Sequence, residues 1–159
     1  MKNIKWLSAL AAACAIALFS GCASVPAAKE SADKAAKEFK VQPGKANIYV
    51  YRNETFGAAV TMPVALDGKL AGKTASKTYF AFEVEPGQHE ILSETEDTSK
   101  LQLNVEAGAN YYVWQEVKMG VLSARSKLQT VDAQTGQKGV QECKLIDSPL
   151  PQATGIASK

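Results

Sequence analysis

From position 46 onward, apolar and polar residues alternate in short runs. The clearest run is 100–106, in which Leu101, Leu103 and Val105 alternate with charged and amide residues. Side chains of a β-strand point alternately to two faces, so this pattern predicts a strand with one buried face. The same criterion predicts strands at 46–52, 60–66, 69–71, 78–85, 88–94, 111–119 and 126–131.

Turn residues separate these runs. Asp67-Gly68 predicts a tight hairpin turn, and Pro63 places its strand at a sheet edge or at a bulge. Short strands at regular spacing are typical of an all-β fold, and we expect an antiparallel β-sandwich of about seven strands over residues 45–147. Asp132 could cap a short C-terminal helix, although two glycines inside it weaken that prediction. Opposite the 101–105 face we expect Ile48, Val50, Phe80 and Phe82.

The N-terminal segment has a different pattern. Lys2 and Lys5 precede an uncharged apolar run over 6–19, and Ser-Gly-Cys follows at 20–22. This order is that of a secretory signal, and the run is too short to span a bilayer. Residues 18–22 resemble the lipobox of bacterial lipoproteins, which implies a signal peptide over 1–21 and lipid attached to Cys22. The alternatives are cleavage before Cys14 and an ordinary secretory signal with an incidental cysteine.

Cleavage changes the charge and the cysteine content. The chain has 18 Lys+Arg and 16 Asp+Glu, and loss of Lys2 and Lys5 makes the two equal. No basic excess then favours nucleic acid, and the membrane becomes a partner through an N-terminal diacylglycerol or acyl (palmitate) anchor. Cys143 remains without a second cysteine for a disulfide, and we expect it to be a small buried residue.

The two flanking segments lack strand patterns. Residues 22–44 are rich in Ala, Lys and Glu, which predicts a flexible tether or, alternatively, a helix that docks on a partner. Residues 148–159 carry prolines and small polar residues and are predicted to form a disordered tail.

No catalytic constellation is recognisable. A metal site needs several ligands at close spacing, and the chain has one histidine, His89, with scattered carboxylates. It has neither a nucleophile motif nor a phosphate-binding glycine loop. We therefore predict a non-enzymatic protein without catalytic residues, metal or cofactor, and a structural role for His89. The alternative is a periplasmic small-ligand carrier or hydrolase with a pocket near His89 or Cys143.

The strand at 111–119 carries the candidate interaction surface. Its even positions are Tyr112, Trp114, Glu116 and Lys118, and aromatic rings with flanking charges suit an envelope protein or a glycan partner. The alternative is that Trp114 fills the space between two sheets. Its neighbour Gln115 would then be exposed, so the orientation of this strand distinguishes the two hypotheses.

Two resemblances extend this interpretation. Residues 62–74 and 84–91, with Asp-Gly, Gly-Lys-Thr and Pro-Gly-Gln-His, resemble a PEGA-type module. The longer span 48–146 is similar to an uncharacterised family of bacterial lipoproteins with a domain of unknown function. These resemblances imply an immunoglobulin-like or transthyretin-like sandwich and no assigned chemistry. Ala23 and Ser24 follow Cys22 without Asp, which in such lipoproteins implies the outer membrane, facing the periplasm.

Overall fold

The computed structural model of the protein describes residues 23–154, and these fold into a two-layer β-sandwich with two short helices. The predicted all-β class and the short C-terminal helix are therefore confirmed. None of the helices in this part of the chain is long and apolar enough to cross a membrane. The strands are β1 Ala46–Arg52, β2 Met62–Leu66, β3 Lys69–Thr74, β4 Thr78–Val84, β5 Gly87–Glu94, β6 Thr98–Val105, β7 Asn110–Met119, β8 Ala124–Val131 and β9 Lys144–Leu145, and the helices are α1 Glu30–Ala36 and α2 Ala133–Gln141.

One sheet has five strands in the order β8-β7-β1-β4-β9, and the other has four in the order β3-β2-β5-β6. We call them the first and the second sheet. The expectation of a purely antiparallel sandwich is wrong, because β1 runs parallel to β7 and β9 runs parallel to β4. Alternation along a strand fixes which residues face inward, but it does not report which strand lies beside it.

The space between the sheets holds an aliphatic and phenylalanine core. Ile48 and Val50 of β1 share it with Phe80 and Phe82 of β4, while Leu103 and Val105 enter from β6 and Leu101 packs at its margin. This is the predicted arrangement. Stacking of the Phe80 and Phe82 rings, with centroids 5.4 Å apart, fills its centre.

The hairpin of β2 and β3 confirms the predicted turn, and the position of β2 in its sheet decides between the two predictions made from Pro63. Asp67 and Gly68 both have positive φ, 51° and 73°, as a tight two-residue turn requires. The strand pairing shifts between Val64 and Ala65, so the predicted bulge is present. An edge position for the strand is wrong, since β2 lies between β3 and β5, although β5 pairs only with Ala65 and Leu66.

The outer face of the first sheet is also buried, under α1 and α2. Four tyrosines carry this second cluster, and α2 approaches them closely at its two glycines. A Cβ atom at Gly136 would lie 2.2 Å from the Tyr112 ring, and one at Gly139 would lie 2.2 Å from the Tyr51 ring. The glycines that weaken α2 by propensity are therefore what lets it pack. The tyrosines are Tyr49, Tyr51, Tyr79 and Tyr112.

The predicted flexible tether is instead part of the folded domain over its described residues. The Ala28 N–H donates to the Leu145 carbonyl at 3.0 Å, and the Leu145 N–H donates to Asp33 Oδ1 at 2.8 Å. Ala36 is fully buried against the tyrosine cluster. Composition misses this packing because small alanines bury little area, while the backbone of β9 supplies the partners.

The predicted disordered tail is corrected in the same way over 148–154. The Glu83 N–H donates to the Pro151 carbonyl at 3.1 Å, and the Ala153 N–H donates to the Ala81 carbonyl at 2.9 Å. Ala153 is buried. The segment thus pairs with the edge of β4 beyond the end of β9, which side-chain polarity alone does not reveal.

The sandwich has two ends that differ in their loops. The Ala23 end carries Ala23 and the loops at 53–61, 75–77, 95–97 and 120–123. The Asp67 end carries the turns at 67–68, 85–86 and 106–109.

Candidate binding cleft

A cleft of about 470 Å³ opens on the outer face of the first sheet, between α2 and the strands β1 and β7. Its size is within the range of ligand-binding clefts. Its lining combines aromatic rings with amide, hydroxyl and charged groups: Tyr51, Asn53, Trp114, Gln134, Thr135, Lys138, Gly139 and Glu142.

Helix α2 forms one wall, and local chemistry fixes where it begins. Asp132 Oδ1 accepts a hydrogen bond from the Thr135 N–H at 2.9 Å, and Asp132 Oδ2 accepts one from Thr135 Oγ1 at 2.6 Å. These bonds lower the pKa of the Asp132 carboxyl, the side-chain bond from Thr135 contributing most. The predicted cap is confirmed, and it holds the first turn of α2 over the cleft.

The aromatic part of the lining comes from β1 and β7. Tyr51 is almost fully buried, and burial raises the pKa of its hydroxyl to about 12. Trp114 is half-buried, and its indole N–H is enclosed without a hydrogen-bond partner among residues 23–154. The exposed part of the Trp114 ring, rather than its enclosed N–H, is the part that a ligand in the cleft could contact.

Charges of both signs lie at the rim. Glu142 accepts hydrogen bonds from Lys77 Nζ at 3.2 Å and from Asn53 Nδ2 at 3.3 Å. The bond from Lys77, then that from Asn53, lowers the pKa of the Glu142 carboxyl, which therefore stays ionised. Lys138 stands on the same wall. The rim favours a polar ligand without a strong net charge.

The structure separates the four residues that the sequence grouped. Only Trp114 lines the cleft. Tyr112 is 3% exposed and stacks on Tyr49 with ring centroids 5.2 Å apart, so it cannot contact a partner directly. Glu116 accepts a bond from Gln129 Nε2 at 2.7 Å, and Lys118 is exposed and paired with Glu116.

The orientation of β7 decides between the two hypotheses for Trp114. Gln115, not Trp114, lies between the sheets and is fully buried. Its Oε1 accepts from Thr74 Oγ1 at 2.5 Å, and its Nε2 donates to Ser93 Oγ at 2.8 Å. Because both partners belong to the second sheet, this glutamine links the layers. The alternation of β7 placed Gln115 with Val113 and Val117, but only the buried hydroxyls explain why it is tolerated.

Comparison with known proteins gives two findings. The profile of the family described as "Protein of unknown function (DUF2846)" matches residues 42–127, more than half of the chain. The chain belongs to the DUF2846 family. An uncharacterised protein of Haemophilus influenzae is 31% identical over 148 residues, which cover 91% of this chain and 88% of that protein. No solved structure matches the chain significantly.

The DUF2846 match spans β1 to the middle of β8, so α2 lies outside it. The prediction of an uncharacterised family is confirmed at this level. The wall of the cleft that α2 provides is thus carried by a part of the chain beyond the family profile, whereas Tyr51, Asn53 and Trp114 lie inside it.

His89 and Cys143 do not line this cleft. His89 is at the Asp67 end, where Nδ1 lies 2.7 Å from Asp67 Oδ2 and Nε2 lies 2.7 Å from the Glu85 carbonyl oxygen. Burial opposes the charged imidazole, but the bonds with Asp67 and Glu85 outweigh it and raise the pKa of His89. Cys143 is 2% exposed, and burial raises its thiol pKa to about 12, which disfavours a thiolate.

The predicted lipidation site, Cys22, lies outside the described residues. Ala23, the residue directly after it, donates its N–H to the Ala58 carbonyl at 3.1 Å. Among residues 23–154, no group of three or more His, Cys, Asp and Glu side chains could hold a metal ion.

Proposed function

We propose that this protein is a lipid-anchored lipoprotein of the bacterial outer membrane that faces the periplasm and acts as a non-enzymatic binding module. Acyl chains on Cys22 would hold it to the membrane, and the cleft beside α2 would bind an envelope protein or a glycan. The cleft supports the binding role, since it combines the Tyr51 and Trp114 side chains with a polar rim.

The observation that carries the anchor is the order of residues 1–22. Two lysines precede an apolar run that ends in Ser-Gly-Cys, and the next residue already bonds the folded domain. Removal of a signal peptide before Cys22 would keep every residue whose contacts the structure describes.

Metabolic labelling with a palmitate analogue tests the anchor. We expect labelled wild-type protein in the membrane fraction, no label on Cys22→Ala, and full label on Cys14→Ala, which is the matched control. Mass spectrometry of the mature N-terminal peptide should show acyl mass on Cys22. Label that persists in Cys22→Ala but disappears in Cys14→Ala would place the anchor at Cys14. An unlabelled wild type would refute the lipid anchor.

Density-gradient fractionation tests whether the protein lies in the outer or the inner membrane. We expect the wild type to co-sediment with outer-membrane markers. The variant Ala23→Asp should shift towards inner-membrane markers, since the resemblance to other lipoproteins makes Asp at this position a retention signal. The wild type at inner-membrane density would contradict the proposed location.

Trp114 provides a native reporter for binding. The chain has two tryptophans, and Trp6 lies in the predicted signal, so the mature protein would fluoresce from Trp114 alone. Soluble cell-wall glycan fragments should shift its emission in wild type and less in Lys138→Ala. If the partner is a protein, a photo-crosslinker at Lys138 in living cells should give one discrete adduct, and a crosslinker at the exposed Asn104 on β6 should not. If neither the emission shift nor the crosslinked adduct is observed, the binding role of the cleft is refuted.

The alternative, a carrier or hydrolase that uses His89 or Cys143, has no observation in its favour. Both histidine nitrogens lie within bonding distance of partners in a turn, and the cysteine thiol is held neutral by burial.

A further inference from the structure

The exposed apolar side chains of the described residues are concentrated at one end of the sandwich. Five large apolar side chains of the described residues are exposed to solvent: Phe56 at 54%, Leu70 at 61%, Met119 at 78%, Val121 at 83% and Leu122 at 93%. All except Leu70 belong to the Ala23 end. The topology causes this, because β1 and β7 run parallel and their following loops emerge together.

The loop that carries the most exposed residues is held in place by one carboxylate. Glu96 Oε1 accepts from the Val121 N–H at 2.9 Å, and Oε2 accepts from the Leu122 and Ser123 N–H groups at 2.8 and 2.7 Å. Arg125 Nη2 completes the set at 2.7 Å from Oε1. We call residues 119–123 the apolar tip.

This arrangement lowers the cost of placing the tip in the membrane interface. Three consecutive backbone N–H groups are already bonded to Glu96, and unbonded backbone N–H and C=O groups are what excludes loops from lipid. Gly120 keeps the loop tight, since a Cβ there would lie 1.9 Å from the Ser123 carbonyl oxygen. The side chains of Val121 and Leu122 therefore project from a fixed backbone.

The N-terminus reaches the same end. Ala23 bonds Ala58, which belongs to the loop that also carries Phe56. Cys22 is one peptide bond away, so its Cα is about 3.8 Å from that of Ala23. No spacer separates position 22 from the domain, and acyl chains on Cys22 would start at the same end of the sandwich as the apolar tip.

We propose that the Ala23 end is a membrane-seating surface, with the apolar tip and Phe56 inserted into the interfacial region of the bilayer that holds the acyl anchor. This inference rests on the proposed lipid anchor. The bilayer is favoured over a protein because the chain enters the domain at this surface directly after Cys22, the residue proposed to carry the lipid.

Depth-dependent fluorescence tests this surface on the mature, full-length lipoprotein in phosphatidylethanolamine–phosphatidylglycerol vesicles. An environment-sensitive dye is attached to Leu122→Cys or, as the matched control, to Leu70→Cys at the Asp67 end. Cys143 is buried and should not react. We expect doxyl-labelled lipid to quench the dye at 122 several-fold more than the dye at 70. Unchanged emission of Trp114 in both variants shows that the fold is kept.

Three other outcomes overturn the inference. Acyl mass on Cys22 together with equal, weak quenching at both positions leaves the anchor standing and removes the seating surface. A dye at 122 that is shielded from aqueous iodide but not quenched by doxyl lipid means that a protein, or a second copy of the chain, covers the tip. Absence of acyl mass on Cys22 removes both the anchor and the surface.

Discussion

The two faces of the first sheet are both buried, but they are built from different chemistry. The inner face presents Ile48, Val50, Phe80 and Phe82 to the second sheet. The outer face presents tyrosines to α1, α2 and the C-terminal segment. Strand β1 contributes to both, which is why each of its seven residues is buried.

The two faces differ in the interactions that the elements packed against them must supply. Aliphatic side chains need only apolar contact, whereas a buried tyrosine hydroxyl needs a hydrogen-bond partner. The Tyr49 hydroxyl donates to the Ala36 carbonyl at 2.9 Å, and the Tyr112 hydroxyl accepts from Gln137 Nε2 at 3.3 Å. The outer face thereby fixes the position of short helices that have little apolar surface of their own.

The largest expected effect is on the inner core. Leu103→Ala should lower the free energy of unfolding by about 2–5 kcal/mol, through lost burial and the cavity left behind. The matched control is its neighbour Gln102→Ala, whose side chain is exposed and which should change stability by less than about 0.5 kcal/mol. Thermal and denaturant unfolding measure both. Equal effects would refute the strand register.

A smaller effect is expected where α2 meets the outer face. Gly139→Ala should destabilise by about 1–3 kcal/mol, because the added methyl group overlaps the Tyr51 ring. Helix propensity alone predicts the opposite sign, a gain of about 1 kcal/mol. Gln134→Ala on the exposed side of α2 is the control and should be neutral or slightly stabilising. A gain in stability for Gly139→Ala would place α2 further from the sheet.

Removal of one hydroxyl tests the hydrogen bonding of the outer face. Tyr49→Phe keeps the ring and loses the bond to the Ala36 carbonyl, which should cost about 0.5–1.5 kcal/mol. Tyr111→Phe removes a bond to the Glu106 N–H at an exposed site and should cost less. Hydrogen exchange should report faster opening of α1 in Tyr49→Phe only. Unchanged exchange at α1 would show that the Tyr49 hydroxyl does not hold this helix in place.

The smallest expected effect is a shift along the pH axis. Burial raises the pKa of Tyr51 to about 12 and also raises the pKa values of Tyr49, Tyr79 and Tyr112. A raised folded-state pKa contributes stability below the unfolded value, about 10, and that stability is lost as the pH rises above it.

The protein should therefore unfold in alkali as tyrosinate absorbance appears, and Tyr79→Phe should move this midpoint to higher pH. Among residues 23–154, the buried side chains of the inner face include no tyrosine, so Val50→Ala should lower stability at neutral pH without changing the steepness of the alkaline transition. Equal steepness in wild type and Tyr79→Phe would contradict the role of the outer face.

The inner face is readable from the sequence because alternation reports it directly. The run of Leu101, Leu103 and Val105 specifies both a strand and its buried side, and Asp67-Gly68 specifies the turn. Strand partners are not readable in this way. The parallel pairing of β1 with β7 joins segments that are far apart in the chain, and the residue pattern of each segment does not indicate its partner.

The cleft could be anticipated only in part. Trp114 stood out as an aromatic residue on an otherwise mixed strand, but its neighbour Tyr112 has the same pattern and is covered. Which of the two is open depends on where α2 lies, and that position depends on space at Gly136 and Gly139. The apolar tip was missed because Glu96 and residues 121–123 are far apart in the chain, and a loop with a valine and a leucine resembles a strand end.

The pairing of residues 151–153 with β4 has a consequence for assembly in solution. Strand β9 covers the start of β4, and this segment covers its later residues, so within residues 23–154 this side of β4 carries no long unpaired row of backbone groups. A protease that trims the C-terminus past Ala153 would expose that edge at Ala81 and Glu83. Exposed edges recruit further strands, so the trimmed protein should associate more readily than the intact chain, which size-exclusion chromatography of the two would measure.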